Sequence, residues 1–194
     1  MPIRVFDQNE KEELRRKMLD AGLPLIRRYG MRHMTVAKIT DAAGIGTSSF
    51  YSFWKNKEEY VAALADHQEQ RILDDILTPE MKSGAVKPGK EEVRKFLKAL
   101  VDDTVSIIPW LTLDDESAIF RRTDALAPDE QKESAKTLAL LSRVDGVRDD
   151  IEPAVIANLV KLLALAAESR AELHASAYER TTDCLIDNIL RQIF

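Results

Sequence analysis

The 194-residue sequence lacks the compositional marks of several special protein classes. Its single cysteine, Cys184, allows no disulfide within the chain and gives no indication of an oxidising compartment. Seven glycines and seven prolines are too few for a collagen-like or low-complexity chain. Because 45% of the residues are hydrophobic, a disordered chain is excluded as well. The composition therefore predicts an ordinary globular protein with a real core.

Long apolar runs are also missing. Residues 1–11 contain no apolar stretch of the kind that directs secretion. The most apolar late stretch, residues 159–167, is interrupted by Lys161 and is much shorter than the roughly 18 residues that a membrane span needs. We therefore expect a cytoplasmic protein that has no membrane partner.

Patterns typical of catalysis and of metal binding are absent from the sequence. The three histidines, His33, His67 and His174, are too far apart to form a pair on one helix face. The glycines Gly44 and Gly46 do not form a dinucleotide-binding loop, because no strand pattern precedes them. No Ser-His-Asp or Cys-His arrangement can be argued. We expect no metal site, no cofactor and no enzymatic activity.

The charge is divided unevenly along the chain. Residues 1–57 carry 11 Lys and Arg against 6 Asp and Glu, a net charge of +5, whereas residues 58–194 carry −10. Fixed positive charge near phosphate groups gains free energy by releasing condensed counterions. This division favours an N-terminal segment that binds a polyanion such as DNA, although a solvated helix face would show the same excess.

Apolar residues recur at steps of three and four throughout, and the period-two alternation of strands is absent, so the sequence predicts an all-α fold. The first helix is expected over residues 9–29 and ends at Gly30, which readily adopts a left-handed conformation. Pro24 lies inside this helix and removes one backbone hydrogen bond. We therefore expect a kink or a local break at Pro24.

Two short helices follow. Thr35 is a suitable N-cap for a helix over residues 36–43 that ends at Gly44. A second short helix is expected over residues 47–53, after a turn of three residues. Two short helices joined by a tight turn that contains glycine, after a longer helix, form the pattern of a helix-turn-helix unit.

The remainder of the chain is predicted to be helical, which gives about nine helices in all. A linker is expected over residues 82–90, where glycine, proline and lysine cluster. The helices predicted on either side of this linker cover residues 56–77, 91–108, 114–123, 128–144, 152–172 and 178–193.

Residues 35–59 read Thr-Val-Ala-Lys-Ile-Thr-Asp-Ala-Ala-Gly-Ile-Gly-Thr-Ser-Ser-Phe-Tyr-Ser-Phe-Trp-Lys-Asn-Lys-Glu-Glu. They resemble the DNA-binding segment of the TetR (tetracycline repressor) family. In that family Thr-Val, a helix of small residues and Ala-Ala-Gly-Val precede a short helix that ends Tyr-x-His-Phe-x-x-Lys-Glu. The matching positions are Ala42, Ala43, Gly44, Ile45, Tyr51, Lys57 and Glu58. The resemblance covers about residues 12–64 by motif, and the rest by helix order and length alone.

Three positions depart from the family pattern. Gly46 stands where the family has a capping Ser, and glycine is a weaker but permitted N-cap. Phe53 replaces a His and cannot donate a hydrogen bond to a phosphate. Trp54 replaces a Phe, and we expect the small core of the N-terminal domain to absorb its extra volume.

The resemblance implies a set of DNA-contacting residues: Thr35, Lys38, Gly46, Thr47, Ser48, Ser49, Tyr51, Phe53 and Lys57. Thr47, Ser48 and Ser49 would face base edges in the major groove. Thr35, Tyr51 and Lys57 would hold phosphates. Since no Arg, Asn or Gln lies on the reading helix, the bidentate base contacts are missing. We expect hydroxyl groups, water and DNA shape to supply the sequence preference.

The resemblance also implies an effector pocket in the C-terminal body. An apolar cluster beside Pro109 is the candidate lining: Phe96, Leu100, Thr104, Trp110 and Phe120. Few charges fall within this cluster, so a small and mostly apolar effector is expected. Ordinary core packing remains an alternative for each of these residues.

The last two predicted helices indicate a homodimer. The first of them is apolar nearly all round, so it must be covered on two sides. The family's dimers pack these two helices into a four-helix bundle, and the expected interface residues are Leu159, Leu163, Ile186, Ile189 and Ile193. A dimer would place two DNA-binding domains on half-sites about 34 to 36 Å apart.

The sequence therefore predicts a helix-turn-helix domain over residues 1–57 and an effector-binding and dimerisation domain over residues 58–194. The predicted function is a transcriptional repressor that binds a near-palindromic operator as a homodimer and is released by a small apolar effector. The alternative is a DNA-binding or protein-interaction module of the same fold that has no effector. A cavity with convergent polar groups would favour the first function, and a fully packed body would favour the second.

Overall fold

The computed structural model describes residues 7–122 and 130–194, without the side chains at positions 120, 130, 132 and 133. The described chain is all-helical and contains no strand, which confirms the predicted fold class. Short 3₁₀ turns cover Ile108–Trp110, Arg170–Glu172 and Ala175–Ala177. The α-helices are α1 (Gln8–His33), α2 (Val36–Ala42), α3 (Thr47–Phe50), α4 (Lys57–Ile76), α5 (Pro79–Lys82), α6 (Lys90–Leu100), α7 (Leu113–Arg122), α8 (Glu130–Leu141), α9 (Pro153–Glu168) and α10 (Tyr178–Ile193).

Helix α1 begins at a capping box. The backbone N–H of Glu10 donates to the Asp7 carboxylate at 2.7 Å, and the Glu10 carboxylate accepts from the Asp7 N–H at 3.1 Å. The expected break at Pro24 is absent, and Gly30, with a φ of 64°, is the residue where the helical backbone is interrupted. Pro24 is exposed, and the helix continues through it with one backbone hydrogen bond fewer.

The described residues form two compact units, whose boundary differs from the predicted one. The first contains residues 7–67 and 110–122, and the second contains residues 68–109 and 130–194. The first unit thus extends beyond residue 57 along α4 and includes α7. Arg122 pairs with Glu58 at 3.5 Å, and the Arg27 guanidinium lies over the Trp110 ring, 5.8 Å from its centroid. These contacts connect residues 110–122 with the helices of the first unit.

The second unit is built on a core that α6, α8, α9 and α10 share. Its buried residues are Leu97, Leu141, Ile156, Leu163, Ile186, Ile189, Leu190 and Ile193. Helix α10 has the bounds that the sequence predicts, because its apolar stripe at steps of three and four points into this core. The linker predicted over residues 82–90 joins α5 to α6.

Helix α6 is shorter than predicted. It ends at Leu100, whereas the sequence pattern predicted a helix up to residue 108. The Asp102 carboxylate accepts hydrogen bonds from the backbone N–H of Thr104 at 2.8 Å and from its hydroxyl at 2.6 Å. Such local side-chain bonds compete with helical backbone bonds, which explains the early end.

Candidate nucleic-acid interface and ligand cavity

Helices α2 and α3 form the helix-turn-helix motif, and the turn between them depends on glycine. Thr35 caps α2 as predicted, because its hydroxyl accepts the backbone N–H of Lys38 at 3.3 Å. Gly44 has a φ of +69°, a conformation that side chains disfavour, and the N–H of Ile45 then donates to the Thr40 carbonyl at 2.9 Å. This hydrogen bond closes the turn before α3 begins.

Helix α3 presents hydroxyl groups at its N-terminal end. Gly46 is the N-cap and supplies no side-chain hydrogen bond. Thr47 and Ser48 are exposed, while Ser49 is half-buried. The Thr47 hydroxyl lies 3.5 Å from the Thr40 hydroxyl, and this contact restrains the Thr47 side chain. The exposed groups at this end of α3 are therefore small and neutral.

An aromatic cluster that the sequence analysis missed fixes α3 in place. Phe50 is fully buried, and its ring centroid lies 5.3 Å from that of Trp54 and 5.7 Å from that of Tyr60. Trp54 is 5% exposed, so the core absorbs its extra volume as expected. Tyr51 packs its ring edge-on against Phe50 but remains 59% exposed. Tyr51 is thus held firmly and still free to meet a ligand.

Helices α1 and α4 approach closely beneath this cluster. The Tyr60 hydroxyl donates to the Met18 carbonyl at 2.8 Å, and burial raises the pKa of Tyr60 far above its ordinary value. A Cβ atom added to Gly22 would lie 2.6 Å from Leu64 Cδ1 and 2.6 Å from the Tyr60 hydroxyl. Any side chain at position 22 would therefore force Leu64 and Tyr60 to move.

The C-terminal end of α1 positions two lysines of the predicted interface. Lys57 donates to the carbonyl of Met31 at 2.7 Å, and Lys38 donates to the carbonyl of His33 at 2.9 Å. Lys38 also lies over the Tyr29 ring, 4.2 Å from its centroid. Both ammonium groups are therefore bound to the carbonyl end of one helix, where its dipole favours positive charge.

The predicted DNA-contacting residues are all accessible to some extent. Thr35, Gly46, Thr47, Ser48 and Tyr51 are exposed, and Lys38, Ser49, Phe53 and Lys57 are half-buried. Contact of these residues with DNA stays a prediction, and the geometry is compatible with it.

The second unit contains a cavity of about 830 Å³. Apolar side chains from six helices form most of its wall, including Leu73 of α4, Met81 of α5, Phe96 of α6, Leu140 of α8, Val160 of α9 and Ile189 of α10. This size and composition are typical of small-molecule sites in proteins. Leucines and isoleucines near the ends of α4 and α8 line this cavity. Nothing in the sequence indicates that these two groups of residues lie close together.

The predicted effector residues are divided between the two units. Of its residues with described side chains, Phe96 alone lines the cavity, and Leu100 packs against the core of the second unit. Thr104 is exposed and bound to Asp102. Trp110 belongs to the first unit. The Phe120 side chain lies outside the described part, so its role is not tested.

The predicted dimer contacts need a correction. Leu163, Ile186, Ile189 and Ile193 are at most 2% exposed within the single chain, because α9 and α10 bury them against α6 and α8. These side chains are therefore not free to meet a second copy, and Leu159 is only half-buried.

The comparisons agree with the sequence resemblance. Residues 18–64 match the model of the bacterial regulatory proteins of the tetR family. A putative TetR-family transcriptional regulator from Rhodococcus sp. has 15% identity and a TM-score of 0.56, over 94% of this chain and 100% of that chain. No curated protein matches the sequence significantly.

Two further solved structures have a similar fold. FadR from Bacillus subtilis, in complex with stearoyl-CoA, has 13% identity and a TM-score of 0.52, over 92% of this chain and 99% of that chain. NalD from Pseudomonas aeruginosa, the secondary repressor of the MexAB-OprM multidrug efflux pump, has 16% identity and a TM-score of 0.52, over 95% of this chain and 98% of that chain.

The described residues contain no group of three or more His, Cys, Asp or Glu residues that could hold a metal ion. No helix among them has both the length and the apolar character needed to cross a membrane. The family consists of transcription regulators rather than enzymes. Residues 18–64 therefore match the tetR family of bacterial regulatory proteins, and the described residues have an all-helical fold similar to that of solved TetR-family regulators.

Proposed function

We propose that the protein is a cytoplasmic repressor that binds a near-palindromic operator as a homodimer and leaves it when a small, mostly apolar effector occupies the second unit. The observation that carries the DNA-binding part is the accessible N-terminal end of α3. There Thr47 and Ser48 are exposed, and Tyr51 is exposed close by. The +5 charge of residues 1–57 supports binding to phosphates.

For the dimer we propose the outer faces of α9 and α10. Val155, Leu159 and Leu162 recur at steps of four and three along α9, and Leu162 is 52% exposed. On α10 the exposed Cys184 lies opposite the buried stripe, and the half-buried Leu185 lies at the edge of that stripe, packed against the core. An exposed apolar stripe on a helix whose other side is buried favours a symmetric partner.

The cavity of about 830 Å³ favours a protein that responds to an effector. A binding module without an effector would be expected to have a fully packed second unit. FadR, solved in complex with stearoyl-CoA, has a similar fold, which supports a response of this chain to a compound with an apolar part. The proposed mechanism is a shift of population toward a dimer whose DNA-binding domains no longer match successive major grooves. Helix α4 contributes residues to both units.

Selection of binding sites from random duplex DNA tests this proposal. We expect an enriched sequence with two inverted half-sites whose centres lie about one helical turn apart or a multiple of it. The stoichiometry on the selected duplex, measured by sedimentation, should be a multiple of two chains. Failure to enrich any duplex, or enrichment of a single half-site bound by one chain, would contradict the proposed operator.

A further inference from the structure

The cavity of the second unit combines an apolar wall with a charged rim. Side chains that could meet a polar head group are concentrated in residues 82–87, at and after the end of α5, and in residues 136–143 around the end of α8. The chain is joined next to both segments, since the N–H of Asp145 donates to the Pro88 carbonyl at 2.9 Å. We call the exposed charged side chains of these two segments the rim.

Two of the charged residues at the cavity are already neutralised or bound. Lys82 pairs with the Asp74 carboxylate at 3.1 Å. The Glu92 carboxylate accepts the backbone N–H of Gly89 at 3.0 Å, as part of the cap of α6, and pairs with the Lys95 ammonium at 3.8 Å. Neither side chain is available to compensate the charge of a ligand.

The remaining cations have no carboxylate partner among the described residues. Lys87 donates to the Ser142 carbonyl at 3.0 Å, a neutral acceptor that leaves its positive charge uncompensated. Arg143 follows Ser142 directly, and Lys136 lies two turns earlier on α8. Glu69 is the remaining carboxylate that lines the cavity. The rim thus carries an excess of positive charge beside a deep apolar wall.

We propose that the cavity binds an amphipathic anion, a long unbranched alkyl chain that ends in one carboxylate or phosphate. The chain lies between apolar residues such as Leu73, Phe96 and Val160, and the head group meets Lys87 and Arg143 at the rim. Burial of the chain supplies affinity, and the cations select the sign of the head group. This inference deepens the proposed function, since it names the class of effector.

Direct titration of the full chain without DNA tests the charge preference. The probes are dodecanoate, dodecyl phosphate, dodecanol and dodecylamine, each below its micelle concentration. We expect at least one anion to bind about threefold or more tightly than the alcohol, with the amine weakest, and the margin to shrink at high salt. Affinity should rise by up to about fourfold for each added methylene until the cavity is full. The tighter of the two anions identifies the head group.

Matched variants locate the binding site. Lys87→Gln combined with Arg143→Gln should remove the preference for anions and leave dodecanol binding unchanged. The control Arg180→Gln removes an exposed cation of α10 that does not line the cavity, and it should change nothing. Leu140→Trp should weaken all chains several-fold, and the fold should tolerate it because Leu140 is 52% exposed.

The outcomes separate this inference from the proposed function. Equal affinity for anion and amine, no binding of any probe, or an unchanged preference in the double variant would overturn the inference. Anion binding that does not release the selected operator would contradict the effector mechanism and leave the cavity assignment intact. Release of the operator by neutral compounds alone would contradict the proposed anionic effector but would agree with the proposed repressor function.

Discussion

In the first unit, side chains of α1, α3 and α4 meet so closely that a methyl group added at Gly22 would lie 2.6 Å from Leu64 and Tyr60. In the second unit, α4, α5, α6, α8, α9 and α10 leave a cavity of about 830 Å³ between them. In the first unit, a smaller pocket of about 360 Å³ lies between α1 and the turn that joins α2 to α3. The two units therefore differ in the amount of space that their helices leave open.

This difference corresponds to two kinds of task. A DNA-reading helix must be held in one position, because a base contact depends on the placement of short side chains such as those of Thr47 and Ser48. Phe50 and Trp54 provide that support for α3. A sensing unit instead needs space that a ligand can fill, and its stability depends on the core around that space.

The largest effect is expected where the second unit is fully packed. Leu163→Glu places a charge at a position that is 1% exposed, and it should lower the free energy of unfolding by about 4 kcal/mol or more. The neighbouring Leu162 is 52% exposed, so Leu162→Glu should leave the chain folded but weaken the dimer. Thermal unfolding and sedimentation of both variants measure these effects. A folded monomer from Leu163→Glu would contradict the burial of that side chain in its own chain.

The next effect concerns the close packing of the first unit. Gly22→Ala should destabilise the protein by about 1 to 3 kcal/mol, because Leu64 and Tyr60 must move to admit the methyl group. Gly89→Ala is the matched control in the second unit, where the added Cβ would lie 3.8 Å from the Glu92 carboxylate. Denaturant unfolding should show a much smaller loss for Gly89→Ala. Equal losses of unfolding free energy in the two variants would mean that the first unit is packed no more tightly at Gly22 than the second unit is at Gly89.

Sequence reasoning succeeded where a local pattern determines the structure. The bounds of α10 and the caps and turn of the helix-turn-helix follow from features only a few residues apart, such as Thr35 and Lys38 or Thr40 and Ile45. The end of α6 was missed although Asp102 and Thr104 are also close in sequence. The apolar pattern continues past Leu100, so it predicted a longer helix and gave no indication of the turn at Asp102 and Thr104.

The faces of α9 could not be chosen from the sequence. Leu162 and Leu163 are identical in type, and because apolar residues surround the helix, its pattern favours neither for the core. Packing against α6, α8 and α10 decides between them. The contact of Lys57 with Met31 is another such case, because the two residues are 26 positions apart. The cavity residues other than Phe96 were not predicted as such for the same reason, since they come from distant parts of the sequence.

An intermediate effect is expected on DNA affinity. Lys57→Ala should weaken binding several-fold, almost equally on the selected operator and on random DNA, and reduce the salt slope by about one unit. Lys55→Ala is the control, because its side chain is 84% exposed and pairs loosely with Glu59 at 3.9 Å. Binding titrations at several salt concentrations measure both variants. An unchanged salt slope with altered sequence preference would contradict the phosphate role of Lys57.

The smallest effect concerns the hydrogen bond inside the first unit. Tyr60→Phe removes the bond from the Tyr60 hydroxyl to the Met18 carbonyl, and it should lower the free energy of unfolding by about 1 kcal/mol at neutral pH.

Burial raises the pKa of Tyr60 in the folded chain, so above about pH 10 the unfolded chain loses this proton first. The free energy of unfolding of the wild type should therefore fall as the pH rises beyond about 10, by up to about 1.4 kcal/mol per pH unit from this group. Tyr60→Phe should flatten that fall, whereas Tyr51→Phe, at a 59% exposed position, should not. Urea unfolding between neutral pH and pH 11 measures the difference, and parallel curves for all three proteins would show that Tyr60 is not held in a dry, closely packed interior.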